Sequence, residues 1–156
     1  MYIPSDYPKN PPKCWFRTTA NGQVRFNPNL YHSGKVCLSL LGTWSGPGWD
    51  PKNSTILQVI NSLQALVLVE YPYYNEPGRT FTKGDARSIQ YNKQISKYNM
   101  LYAILDHLSR IHSGVTRYES VFDEPILAHF RAHKDKIKEL VSPVIDSSNE
   151  HLLEML

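Results

Sequence analysis

The run from Ile56 to Val69, Ile-Leu-Gln-Val-Ile-Asn-Ser-Leu-Gln-Ala-Leu-Val-Leu-Val, sets the tightest limit on what this chain can fold into. Ile56, Leu57, Ile60, Leu63, Leu66 and Val67 recur at helical spacing, while Val59, Ala65 and Leu68 fill the other faces. A helix apolar nearly all round has to be buried, so the rest of the chain must wrap it. Asn53 or Ser54 reads as its N-cap, and it ends before Pro72.

What precedes that helix reads as strand. Lys13 to Thr18 alternates Trp15 and Arg17 against Cys14 and Phe16, Asn21-Gly22 is a turn dipeptide, and Gln23 to Phe26 is a second short run. A lone hairpin is marginal in water and needs more strands or a covering helix. Residues 1–12 carry four prolines, so they read as an extended lead-in packed by two tyrosines and Ile3. Beyond the central helix, Pro72 to Gly78 is a turn-rich loop. Asp85 caps a second helix from about Ala86 to His112, ended by Gly114. A third begins near Tyr118 and runs past Pro125 through Ile126, Phe130, Ile137 and Leu140 to Ser142, leaving residues 143–156 as a short helix or a frayed tail. The expected class is α+β, with one core domain over 1–142 and a C-terminal tail over 143–156.

Composition agrees with one core: of 156 residues 41% are apolar and 20% charged. The net charge of +3 is scattered along the chain, so no nucleic-acid footprint is expected. No apolar run approaches the roughly 20 residues that span a bilayer, and no charged and apolar leader opens the chain. The expectation is a soluble intracellular protein, with neither membrane nor nucleic acid as partner.

The chemistry converges on one stretch. Asn27-Pro28-Asn29 forms a turn eight positions before Cys37, with His32-Ser33-Gly34 between them. A cysteine just past a tight turn, with an amide close behind it, reads as a candidate thiol nucleophile with a polarising partner. Cys14, in a strand with Trp15 and Phe16, reads as a small hydrophobe. His32 raises the alternative of a Cys37–His32 hydrolase, although no oriented third residue follows. His129 and His133 stand at i, i+4, yet no third ligand accompanies them, so no metal and no cofactor is expected. Trp44 reads as a lid over the long helix, with Trp49 left open between a lid and a partner surface.

In this order the chain resembles the ubiquitin-conjugating (E2) catalytic domain. Tyr7-Pro8, Pro11-Pro12, Phe16 and Thr18 look like that family's Tyr-Pro…Pro-Pro…Phe-x-Thr signature, and Phe26 to Tyr31 looks like its His-Pro-Asn region, with Asn27 in place of the histidine. Gly34 to Leu41 with Trp44 resembles the active-site run, and Pro72 to Pro77 the acidic loop. The Asn-Pro-Asn-Leu-Tyr wording, the long loop after Gly-Thr-Trp and Tyr-Tyr-Asn-Glu-Pro-Gly are similar to the E2 domains of very large hybrid E2/E3 ligases of the BRUCE type.

The resemblance implies the UBC fold, an antiparallel meander sheet on a central helix with helices after it. The chain starts at what resembles the third strand, so the sheet is expected to be cut to its last strands, without the N-terminal helix, and the chain to be weakly stable alone. The resemblance also implies that Cys37 accepts ubiquitin from an E1 enzyme as a thioester and yields it to a substrate lysine. Asn29 would stabilise the oxyanion or order the loop, and Glu76 would orient the lysine. Ubiquitin, an E1, an E3 ligase and a protein substrate are the implied partners, in cytoplasm or nucleus. The alternative is a non-catalytic ubiquitin- or E3-binding module, or an inactive fragment of a larger hybrid protein.

Overall fold

The computed structural model describes residues 1–114, 121–147 and 150–156. The chain divides into two compact units, Met1–Gln94 and Ile95–Leu156. That division falls at 94/95, inside the helix Ala86–Tyr98.

In the first unit the described residues pair through isolated antiparallel bridges, Tyr2 with Lys13, Trp15 with Lys35, Asn27 with Leu30 and Leu30 with Val36. The expected 13–18/23–26 hairpin is replaced by other partners. Phe16 N–H donates to Gly34 O at 2.9 Å, and Thr19 O instead gathers the N–H groups of Gly22, Gln23 and Val24 into a tight turn. Ala20, Asn21 and Gly22 all take positive φ there, so the dipeptide does turn the chain, but into a local coil.

Helix α1, Ile56–Ser62, begins one residue later than the expected caps. Thr55 is extended, its hydroxyl accepts Gln58 N–H at 3.2 Å, and Gln58 Oε1 accepts Thr55 N–H at 2.9 Å, a reciprocal capping box. Ser54 and Asn53 are drawn instead onto Asp50, closing the preceding turn. A π-helical turn, Leu63–Val67, follows, closed by Leu68 N–H on Leu63 O.

The expectation that this helix is buried on all sides is corrected. Val59 and Val67 are enclosed, and Val67 and Leu63 pack with Leu30, Val36, Phe16, Phe26 and Leu41, but Leu57, Ile60, Leu66 and Leu68 face solvent. The segments laid against the helix cover one face only. Trp44 is likewise exposed rather than a lid, while Trp49 donates from Nε1 to Pro8 O at 2.7 Å and tilts against Tyr7.

Helix α2 spans Ala86–Tyr98, starting where Asp85 accepts Arg87 N–H on its carboxylate. The Arg87 side chain on that carboxylate, with the cap bond itself, holds the Asp85 carboxyl below its ordinary range. A π-helical turn, Asn99–Leu105, and α3, Asp106–His112, complete the expected helical run to His112, and Gly114 takes φ 64°.

In the second unit the expected third helix is two. Its start near Tyr118 lies outside the described residues; α4 covers Asp123–Ala132, with Pro125 in its first turn, and α5 covers Lys134–Val141. The break is at His133, whose ring Nδ1 takes His129 O at 2.8 Å while its own N–H turns to Phe130 O. The 3-10 helix Glu150–Met155 carries Leu152 into a cluster with Ile104, Leu105, Leu108, Leu127, Ile137 and Val141.

Candidate functional site

The stretch from Asn27 to Thr43 is held by hydrogen bonds that run back onto its own backbone. Asn27 Oδ1 accepts Asn29 N–H at 2.7 Å, the side-chain turn that an asparagine before proline favours. Tyr31 N–H on Lys35 O and Gly34 N–H on Tyr31 O then close the loop that carries exposed His32. Only glycine fits at position 34: φ is +87°, and a Cβ there would stand 2.9 Å from Phe16 O.

Two residues fix the backbone on both sides of Cys37. Asn29 O accepts Cys37 N–H at 2.8 Å, and Asn29 Nδ2 donates to Cys37 O at 3.0 Å. The Thr43 hydroxyl donates to Val36 O at 2.6 Å and accepts Leu38 N–H at 2.9 Å, clamping the peptide groups before and after the cysteine. Thr43 is the residue that sequence reasoning missed at this point; its signal is the Gly-Thr-Trp stop placed after the 3-10 helix Ser39–Leu41. Cys37 itself is 2% exposed and flanked by buried Val36 and Leu38.

The predicted site residues are brought together in part. Asn29 and Cys37 are bonded twice. Glu76 is half-buried just past the 3-10 helix Pro72–Asn75, and its carbonyl accepts Arg79 N–H at 3.2 Å. Its neighbour Asn75 reaches the site instead, donating from Nδ2 to Asn27 Oδ1 at 3.3 Å and to Leu66 O at 2.9 Å. Asn27, 2% exposed, donates from its own Nδ2 to Val67 O at 2.7 Å. The loop before α2 is shaped by aromatic contacts, with Tyr73 against Tyr74 and Tyr91 and the Arg79 guanidinium 3.9 Å above the Tyr73 ring.

His32 is exposed while Cys37 is buried, so the two do not form a dyad in this structure. Cys14 lines a cavity of about 540 Å³ with Pro4, Pro12, Trp15, Val36 and Leu41, and burial pushes its thiol above the ordinary range. A raised thiol is a poor nucleophile at neutral pH, in keeping with a packing role. His129 and His133 stack at 4.5 Å, and among the described residues no group of three or more potential ligands surrounds a metal position. Among the described residues no helix is long and apolar enough to cross a membrane.

A family model described as ubiquitin-conjugating enzyme matches residues 1–99. The chain is 47% identical over 117 residues to a probable ubiquitin-conjugating enzyme of Caenorhabditis elegans, covering 70% of this chain and 16% of that protein. Over 115 residues it is 44% identical to the human dual E2 ubiquitin-conjugating enzyme/E3 ubiquitin-protein ligase BIRC6, covering 69% of this chain and 2% of that protein. Over 103 residues it is 48% identical to human ubiquitin-conjugating enzyme E2 Z, covering 66% of this chain and 28% of that protein. The chain thus spans a minor part of the length of each of these relatives.

Proposed function

The chain belongs to the ubiquitin-conjugating enzyme family, and from that premise we propose that it carries ubiquitin on Cys37 and passes it to a lysine of a substrate protein. The observation that carries this reading is the pair of hydrogen bonds between Asn29 and Cys37, 2.8 Å and 3.0 Å, which fixes the cysteine's backbone beside an amide donor.

In this reading Cys37, its thiol proton passed to water, attacks as the thiolate the carbonyl of ubiquitin held as a thioester on an E1 enzyme; the new C–S bond forms and the old one breaks, with its electron pair leaving on the E1 sulfur. The neutral Nζ of an acceptor lysine then attacks the new thioester. The C–N bond forms, the tetrahedral oxyanion collapses, and the C–S bond breaks with its electron pair going to the Cys37 sulfur. The surplus ammonium proton passes to that thiolate or to water. One N–H of the Asn29 amide is spent on Cys37 O, and the second is the donor assigned to the oxyanion; such a donor is worth about 10²–10³ in rate. A free lysine titrates at pKa ~10.4 and must attack deprotonated, so the Glu76 carboxylate orients the amine while desolvation lowers its pKa and the proton passes to water. With Cys37 2% exposed, charging requires the groups that cover its sulfur to give way.

The four bridges are read as the register of an antiparallel meander laid against α1. An E1, an E3 ligase and a cytoplasmic or nuclear protein substrate complete the proposal.

The test is incubation of the chain with an E1 enzyme, ATP and ubiquitin. An adduct that dithiothreitol removes and that Cys37→Ala abolishes supports it. A folded chain that never forms the adduct, while still binding ubiquitin, sinks it in favour of a binding module.

A further inference from the structure

Two asparagine side chains cap one helix end, and each stands beside a residue assigned to the chemistry. The last carbonyls of a helix have no partner inside it. At the end of the Leu63–Val67 turn, Leu66 O is taken by Asn75 Nδ2 at 2.9 Å and Val67 O by Asn27 Nδ2 at 2.7 Å. The two amides also meet, Asn75 Nδ2 donating to Asn27 Oδ1 at 3.3 Å, while that same oxygen accepts Asn29 N–H at 2.7 Å. Asn75 precedes Glu76, and Asn27 is two residues before Asn29, whose side chain holds Cys37.

We infer that Asn75 is a positioning residue, which sets Glu76 in register with Asn29 and Cys37 by tying both loops to the same helix terminus. This rests on the reading of Cys37 as the ubiquitin carrier. Its two donors are both used, one on each side of the junction, so no shorter or purely apolar side chain reproduces it. Asn27 is a weaker probe of the same idea, because it is buried and its loss disturbs the Asn29 turn itself.

If Asn75 acts through Glu76, its loss slows attack by lysine and leaves thiol exchange alone. Misplacement by about 1 Å of a group that orients a reactant can reduce rate about 10²-fold. For Asn75→Ala we therefore expect charging by E1 to stay within about twofold of the parent, single-turnover discharge to free lysine to fall about 10- to 100-fold, and discharge to a small thiol to be unchanged. In the Glu76→Gln background the same substitution should add almost nothing to the loss, since two residues that act as one unit are not additive. Asn75→Gln, which keeps both donors, should recover part of the lysine rate.

Unaltered lysine discharge by charged Asn75→Ala overturns the assignment. So does a parallel fall in charging, thiol discharge and lysine discharge, or full additivity with Glu76→Gln, since each marks a general structural role. A parent chain that never charges is a different result, overturning the carrier reading on which this one stands.

Discussion

Asn27 shows how one side chain can serve two distances at once. Its oxygen makes a turn two residues away, and its nitrogen reaches a carbonyl forty residues away, in a site 2% exposed. Asn27→Ala removes both and leaves Val67 O and Asn29 N–H without a partner, a loss of about 3 kcal/mol for such buried groups. A fall of that size in unfolding free energy, measured in urea, is the expected outcome; a change below about 0.5 kcal/mol, the size ordinary surface substitutions give, would show that water replaces the amide. The turn half of this role was legible, because Asn-Pro-Asn carries its own local chemistry. The other half was not, since the contact with Val67 depends on where a distant helix stops. Asn75 was hidden for the same reason: between Tyr74 and Glu76 it reads as an ordinary loop residue, and only the orphan carbonyl of Leu66 gives it work.

At the scale of elements, local signals decided the ends of helices and tertiary ones decided their faces. The start at Ala86 and the stop at His112 followed from Asp85 and Gly114, and both hold. The cap of α1 was displaced by one residue because Thr-x-x-Gln, Thr55 to Gln58, competes with the more obvious Asn53-Ser54 and wins through a second, reciprocal bond. Thr55→Ala removes the hydroxyl that accepts Gln58 N–H and leaves only the backbone half of the capping box, so a loss of about 1 kcal/mol is expected. Chemical denaturation with an unchanged m-value is the check, and Ser54→Ala is the contrast: it should change stability by less, because Ser54 Oγ serves the Asp50 turn and not the helix. The reverse order of effects would mean that the cap has been misplaced. The break at His133 had no sequence signal of this kind, since an imidazole that takes its own i−4 carbonyl is one among several rotamers open to a helical histidine.

Across the whole chain the apolar count is sufficient for a core, yet much of the run from α1 through the π-helical turn to Leu68 does not enter one. Leu57 is 64% exposed, Ile60 49%, Leu66 61% and Leu68 66%. Periodicity could show that these side chains would share a helix but could not supply the layer that covers them. Leu57 and Ile60 stand one turn apart on the same face, and contiguous apolar surface of more than a few hundred Å² marks an association site or an aggregation hazard. The chain should therefore bind the dye ANS in its native state and associate as its concentration rises, seen by light scattering. Replacing Leu57 and Ile60 together with lysine should lower both signals while leaving the urea midpoint close to the parent's, because exposed positions contribute within about 0.5 kcal/mol each. Two results would defeat this: a parent that stays monomeric and silent to ANS at high concentration, or a double variant that unfolds far more easily. The second would place both side chains inside a packed interface in solution, and the helix would then be as buried as its composition demands.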